Sequence, residues 1–244
     1  MAWENKAKNK DTVERMLASA PPADLILLPE MFDTGFTMNP KKVAEPPEGK
    51  TLNWARGLAE KYEAIVFGSW PVQAEKKFFN RMYAVWPSGA YAVYDKRHLF
   101  SYGGEDKVYD PGEARQSIEY KGWKILPFVC YDLRFPVWMR NTEAGDLYLL
   151  PANWPDTRIS HWSALLRARA IENQVYLAGV NRIGTQPGGL RYNGGSAIID
   201  YSGKTLSESF DKEQVLYAEL SKTKLNDFRD NFPFLKDRDA FDWK

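Results

Sequence analysis

Four short apolar segments constrain the fold of this chain more than any other feature of its sequence. They are DLILLPE at 24–30, AIVFGSW at 64–70, WKILPFVC at 123–130 and DLYLLPANW at 146–154. Their length and their lack of polar alternation are typical of strands that are buried on both faces of a sheet. A sheet built from such strands has to be covered by other layers on both sides.

Two amphipathic segments are suited to form those covering layers. TLNWARGLAEKYEA at 51–64 and SHWSALLRARAIENQ at 160–174 both place apolar residues at helical spacing, namely Leu52, Ala55, Ala59 and Tyr62 in the first and Trp162, Leu165, Leu166 and Ile171 in the second. Because strands alternate with helices, the sequence predicts an α/β layer architecture.

Three further segments are typical of antiparallel strand pairs. Pro87-Ser88-Gly89, Lys121-Gly122 and Ser202-Gly203 each interrupt a strand-like run, and glycine accepts the positive φ that tight turns require. We therefore expect mixed sheets. The segment NPKKVAEPPEGK at 39–50 is predicted to be a loop, and since no linker is visible we expect residues 1–244 to form one domain.

The composition excludes several classes of protein. The chain has 33 basic and 32 acidic residues, so it lacks the charge excess that attracts nucleic acid or an anionic membrane. One cysteine and two histidines cannot supply a disulfide framework or a typical zinc site. No apolar run approaches the ~20 residues of a membrane span, and the N-terminus has no signal-peptide pattern, so a reducing cytoplasm is expected. A small molecule or a protein remains as the ligand.

Chemically reactive residues follow the predicted strands. Glu30, Lys96, Cys130 and Asn153 each stand at or just after the end of one of them. Ligands of open α/β sheets bind at the carboxyl ends of the strands, so these side chains are expected to converge on one pocket. Taken singly, the cysteine could be an inert buried residue and the charged groups could be solvated strand ends. The joint pattern favours a site.

Two other roles for Cys130 fit the sequence less well. A papain-like cysteine–histidine pair would use His98 or His161, but the local signature of such a cysteine is missing. A redox sensor usually has a resolving cysteine nearby, and this chain has no second one.

Five motifs, in order and at similar spacing, closely resemble the nitrilase (carbon–nitrogen hydrolase) superfamily and in particular its ω-amidase-like branch. They are PE at 29–30, DKRHLF at 95–100, CYDLRFP at 130–136, ANWP at 152–155 and RARAIEN at 167–173. The resemblance implies a four-layer α-β-β-α sandwich of two mixed sheets, paired into a homodimer or larger oligomer. The family normally opens with a core strand, so we expect that this numbering starts late and omits a strand of about 5–6 residues.

The resemblance also implies a catalytic set. By position, Glu30 matches the family's general base, Lys96 its oxyanion-stabilising lysine, Cys130 its nucleophile and Glu105 a second glutamate. Lys96 is expected to favour the Cys130 thiolate and, with the backbone N–H of Tyr131, to stabilise the charge on the carbonyl oxygen. Glu105 would orient substrate or the attacking water, and no metal or organic cofactor is expected.

The expected substrate is a small linear ω-amide of a dicarboxylate, such as 2-oxoglutaramate, because the motifs look like those of bacterial 2-oxoglutaramate amidases. Arg134 and Arg182 follow shortly after strand ends, and either could bind the substrate carboxylate, whereas Arg134 could instead hold Asp132 or Glu172. Phe36, Asn153 and Trp154 are expected in or around the pocket. Hydrolysis of an N-carbamoyl compound or a nitrile remains open, as does a non-catalytic small-molecule binding protein.

Overall fold

Four strands form the first of two mixed sheets in the structure, a computed structural model that describes residues 1–241. The strands are β1 (Leu25–Leu27), β2 (Ile65–Ala74), β3 (Lys77–Val85) and β4 (Tyr91–Asp95). Their order in the sheet is β1-β2-β3-β4, with β1 parallel to β2 and the other neighbours antiparallel.

The second sheet contains the remaining described strands: β5 (Ile118–Tyr120), β6 (Trp123–Pro127), β7 (Leu147–Ala152), β8 (Tyr176–Asn181), β9 (Ile183–Thr185), β10 (Arg191–Ile199) and β11 (Thr205–Phe210). Its order is β11-β10-β8-β7-β6-β5, and β9 pairs with β10. The central strands β6, β7 and β8 are parallel, and the outer pairs are antiparallel.

Helices cover the outer faces of both sheets, which gives the four layers that the sequence resemblance implies. The helices are α1 (Lys6–Leu17), α2 (Pro40–Val43), α3 (Lys50–Tyr62), α4 (Ile159–Asn173) and α5 (Lys222–Asn231). Helix α3 packs through Leu52, Ala55 and Leu58 on the first sheet. Helix α4 packs through Trp162, Leu166 and Ala170 on the second. Between the sheets, alternate residues of β2 and β3 such as Phe67 and Met82 share a core with Leu126 and Leu149.

The predicted elements are confirmed with one exception. The four apolar segments contain β1, β2, β6 and β7, the two amphipathic segments are α3 and α4, and the three turn regions join antiparallel pairs. The prediction that 39–50 is entirely a loop is wrong, because α2 lies within it. Pro40 stands at the start of that helix, where its fixed φ is favourable and its missing N–H is not needed.

Part of the aromatic C-terminal region packs on the second sheet's side of the molecule. The Phe228 ring lies 4.7 Å from the Tyr201 ring, and Arg229 donates to Asp146 and to the backbone oxygens of Gly145 and Gln174. Phe234 is 61% exposed. Trp243, the last aromatic residue of this C-terminal region, lies outside the described residues. No helix in the described part of the chain is long and apolar enough to cross a membrane.

Candidate active site

Glu30 lies in a turn after β1 and is completely buried. The next residue, Met31, has a φ of +43° and donates its backbone N–H to the hydroxyl of Ser69 on β2, at 2.9 Å. This turn directs the carboxylate between the sheets. Glu30 Oε1 accepts from Lys96 Nζ at 2.9 Å and Asn80 Nδ2 at 2.8 Å, and Oε2 accepts from the backbone N–H of Asn153 at 2.8 Å. Both carboxylate oxygens are therefore fixed by donors from other strands.

Lys96 follows β4 directly, and its ammonium group lies between two carboxylates. Its Nζ is 2.9 Å from Glu30 Oε1 and 2.8 Å from Glu105 Oε2, and all three side chains have no exposed surface. Burial by itself would lower the pKa of Lys96, but the charges of Glu105 and Glu30 raise it above its ordinary value. Lys96 is therefore a cation at this position.

Glu105 is brought to the site by a short 3-10 helix, Glu105–Lys107, which follows Gly104 at a φ of +76°. Glu105 Oε2 also accepts the backbone N–H of Phe100 at 2.7 Å, and Oε1 accepts Asn80 Nδ2 at 3.1 Å. Burial raises the pKa of Glu105, Lys96 lowers it, and the charge of Glu30 raises it further, with a net upward shift. Both carboxylate oxygens of Glu105 are bound within the protein. The contact with Lys96 is the one that makes Glu105 part of the ion cluster.

Cys130 begins a 3-10 helix, Cys130–Arg134, three residues after the end of β6, and has a φ of +46°. A positive φ is strained for a residue with a side chain, so the surrounding structure has to enforce it. Asp132 does this: its buried carboxylate accepts the backbone N–H groups of Val129 and His98 at 2.9 and 3.0 Å and the hydroxyl of Tyr94 at 2.7 Å. The tight turn presents the Cys130 thiol toward the buried ion cluster.

The thiol of Cys130 is protonated in the free protein. Burial raises its pKa well above the ordinary value, Glu30 raises it further, and Lys96 opposes both effects without overcoming them. Lys96 acts in the expected direction, because its charge favours the Cys130 thiolate, but burial and Glu30 outweigh it in the free protein. Of the two carboxylates that act on the thiol, Glu30 raises its pKa more than Glu105 does.

Three other residues named from the sequence lie around this cluster. The Phe36 ring centroid is 5.2 Å from Lys96 Nζ, so Phe36 forms a wall beside the ammonium group. Asn153 Nδ2 donates to Glu30, at 2.7 Å to the backbone oxygen and 3.2 Å to Oε2, which makes it a support for Glu30. Trp154 is 3% exposed and packs near Trp162. Their contact with substrate stays a prediction.

The two arginines named from the sequence lie in different environments. The Arg134 guanidinium stacks 4.7 Å from the Trp154 ring centroid and approaches His161, so it holds neither Asp132 nor Glu172. Glu172 pairs instead with Arg169 at 2.9 Å, three residues away on the same helix. Arg182 is 2% exposed and lies against Tyr192, and among the described residues its Nε and Nη1 have no hydrogen-bond partner.

Two residues of the site were not identified from the sequence. Asn80, in the middle of β3, donates to both glutamates. Arg158 follows the Asn153-Trp154 turn, and its guanidinium lies 5.6 Å from the Phe100 ring centroid. The sequence signal for Arg158 was its position five residues after the strand-end Asn153. Nothing comparable marks Asn80, since it is not at a strand end. Within residues 1–241 no cluster of histidine, cysteine or carboxylate side chains is arranged to hold a metal ion.

Comparison with known proteins gives a consistent result. The carbon-nitrogen hydrolase family model matches residues 1–230. "Omega-amidase YafV" of Yersinia enterocolitica is 43% identical over 99% of this chain and 94% of its own length. The 2-oxoglutaramate amidase of Bacillus subtilis is 33% identical over 88% of this chain and 85% of its own length. Among solved structures, this chain is similar to XC1258 from Xanthomonas campestris, described as a CN-hydrolase superfamily protein with an arsenic adduct in the active site. The two structures superpose with a TM-score of 0.96 at 41% sequence identity, and the match covers 100% of this chain and 96% of XC1258.

Proposed function

The chain belongs to the carbon–nitrogen hydrolase family and is an amidohydrolase, and from that premise we propose that it hydrolyses a small linear ω-amide through a thioester on Cys130, releasing ammonia. The observation that carries this proposal is the buried Glu30-Lys96-Glu105 cluster at an uncharged thiol. An inert structural cysteine would not need three buried ionised groups beside it, because buried charges are costly even when paired.

Acylation begins with transfer of the Cys130 proton to Glu30 as the sulfur attacks the amide carbonyl carbon. The negative charge that develops on the carbonyl oxygen is stabilised by Lys96 Nζ and the backbone N–H of Tyr131. The carbon–nitrogen bond then breaks, and the proton held by Glu30 leaves with the nitrogen as ammonia. The acyl group remains on Cys130 as a thioester.

Deacylation uses the same groups, with water as the nucleophile and the Cys130 sulfur as the leaving group. Glu30 takes a proton from a water molecule, which attacks the thioester carbonyl carbon while Lys96 again stabilises the oxyanion. The carbon–sulfur bond breaks, the sulfur recovers a proton from Glu30, and the carboxylic acid product leaves. Glu105, whose oxygens are bound by Lys96, Phe100 and Asn80, keeps the ammonium group in place throughout.

The substrate carries a carboxylate at the end remote from the amide, and we assign its recognition to Arg158. Within the described chain no hydrogen bond or ion pair engages its guanidinium, which is half-buried over Phe100. The Phe100 ring in turn lies 5.1 Å from the ring of Tyr131, the neighbour of Cys130. Arg134 is held on Trp154 beside His161, and Arg182 is covered by Tyr192. The planar guanidinium fork of Arg158 can bind a carboxylate in bidentate fashion.

Ammonia release from a panel of amides tests this assignment. Succinamate and 2-oxoglutaramate should be hydrolysed with a much higher kcat/KM than butyramide, which has a similar length and no charge. Arg158→Ala should lower kcat/KM for succinamate by about 10- to 100-fold, the scale for a charge-assisted hydrogen bond, with little change for butyramide. Arg134→Ala is the matched control, because it also removes a guanidinium stacked on an aromatic ring.

The results that would contradict the proposal are distinct for its two parts. Equal hydrolysis of butyramide and succinamate would exclude carboxylate recognition while leaving the amidase activity intact. A larger loss in Arg134→Ala or Arg182→Ala than in Arg158→Ala would assign the carboxylate to one of those residues. Release of ammonia from a nitrile or an N-carbamoyl compound, and from no ω-amide, would replace the substrate class altogether.

A further inference from the structure

Asn80 is the one neutral side chain that contacts both glutamates of the described ion cluster. It lies on β3, is completely buried, and uses its single amide nitrogen for both contacts, at 2.8 Å to Glu30 Oε1 and 3.1 Å to Glu105 Oε1. The backbone oxygen of Asn80 accepts the N–H of Lys96 at 3.1 Å. Asn80 therefore connects, by side chain or backbone, to each ionised residue of the Glu30-Lys96-Glu105 cluster.

The charges of this cluster do not balance without such donors. Two buried carboxylates face one ammonium group, and the neighbouring Cys130 thiol is uncharged. Two buried phenols, Tyr109 and Tyr192, also interact with the glutamates. The carboxyl of Asp33 acts on Tyr109, and the guanidinium groups of Arg182 and Arg158 act on Tyr192, but among the described residues neither arginine pairs with a glutamate. The excess negative charge has to be stabilised by amide hydrogens.

The geometry of Asn80 suits it for this task better than a hydroxyl or a second lysine would. A primary amide has two N–H hydrogens in one plane, so it can donate one to each carboxylate at a fixed separation. It adds no charge that would compete with Lys96. Its Oδ1 is buried and, among the described residues, accepts no hydrogen bond. Such an orphan acceptor is costly, which indicates that the two donated hydrogen bonds are what the position requires.

We propose that Asn80 is a positioning residue that holds Glu30 and Glu105 around Lys96 and keeps both as carboxylates, so that Glu30 can accept the thiol proton. This inference rests on the proposed role of Glu30 as the base. Hydrogen bonds donated to a carboxylate stabilise its charged form, so loss of Asn80 favours uptake of a proton by the glutamate pair as a unit. Because the base has to be unprotonated, the acidic limb of the activity profile then moves to higher pH.

The test compares pH profiles of Asn80→Ala and Met82→Ala. Met82 lies two residues after Asn80 on β3, so it is on the same face of the sheet, and it is also buried. Unlike Asn80, it packs in the apolar core. Asn80→Ala should shift the acidic limb of kcat/KM for succinamate upward by about 1 pH unit, the scale of one charge-assisted hydrogen bond, and lower kcat at least 10-fold with little change in KM. Met82→Ala should lower the melting temperature and leave the acidic limb in place.

The pH dependence of the two variants is also measured on the Cys130 thiol itself. This second assay uses no amide substrate, so its outcome does not depend on the substrate assignment. The rate of Cys130 alkylation by iodoacetamide is measured against pH, and its acidic limb should also move upward in Asn80→Ala. If Asn80→Ala does not fold, Asn80→Ser, which retains a single donor, should show a smaller shift in the same direction. Acidic limbs that coincide with those of the wild type in both assays would overturn the proposal and leave Asn80 a packing residue.

Discussion

Replacement of Lys96 by methionine separates the electrostatic role of this residue from its packing role. Methionine preserves most of the buried volume but leaves Glu30 and Glu105 without their shared cation. Loss of one partner from a buried ion pair costs about 3–5 kcal/mol. For a chain of this size that cost lowers the melting temperature by roughly 6–20 °C at neutral pH. Loss of one oxyanion donor should reduce kcat by about 10²–10³-fold, and Lys96→Arg should not restore it.

The pH dependence of this stability loss follows from the glutamates. Burial already raises the pKa of Glu105, and Lys96 is the group that lowers it, so Lys96→Met raises it further. A carboxyl whose folded-state pKa lies above its unfolded value favours folding at low pH, and that stability is lost as the pH rises through the folded-state pKa. The destabilisation of Lys96→Met should therefore be small near pH 5 and reach its full size near pH 8.

Thermal unfolding at both pH values, together with steady-state kinetics, measures these effects. Lys107→Met is the matched control, because Lys107 lies exposed in the same loop as Glu105. The double variant Lys96→Met/Glu105→Gln removes one of the two carboxylates and should recover stability without recovering activity. A Lys96→Met protein with near-normal kcat, or with the same loss of melting temperature at pH 5 and pH 8, would refute the assignment of Lys96 as the charge-balancing oxyanion donor.

Three further outcomes are expected. Asp132→Ala should lower the free energy of unfolding by about 3–5 kcal/mol in urea titrations, because several buried donors lose their acceptor. A change below ~1 kcal/mol would show that Asp132 does not fix the Cys130 turn. Arg229→Ala should lower the melting temperature by releasing α5 from Asp146 and Gln174, and an unchanged value would mean that this helix is not anchored there. Light scattering should report a homodimer or larger oligomer, as the family resemblance implies; a monomer at micromolar concentration would contradict this.

The sequence predicted the parts of the site that depend on strand ends. Glu30 and Lys96 follow β1 and β4 of the first sheet, Asn153 follows β7 of the second, and all three strands could be read from the sequence. Hydrogen bonds then join Glu30 to both Lys96 and Asn153. The second glutamate, Glu105, could be located only through the family resemblance, because its loop carries no strand signal of its own.

The parts that could not be predicted depend on contacts between distant segments. Asn80 reaches the glutamates only because β3 pairs between β2 and β4. The Pro87-Ser88-Gly89 turn predicts the pairing with β4, but nothing in FFNRMY indicates the pairing with β2 or marks Asn80 itself. Asp132 was assigned Arg134 as a possible partner from their proximity in the chain, but Tyr94 and His98 come to it across the inter-sheet core. The net effect on the Cys130 thiol was likewise beyond the sequence, since its pKa reflects burial and the opposing charges of Glu30 and Lys96 rather than the presence of one lysine.

The central claim is that Cys130 is the nucleophile, and ammonia release by Cys130→Ala tests it most directly. The substitution removes a sulfur atom from a position that is 8% exposed, so the melting temperature should stay close to that of the wild type. With succinamate as substrate, the folded variant should release ammonia no faster than the uncatalysed reaction. Substantial hydrolysis by folded Cys130→Ala would contradict the thioester mechanism.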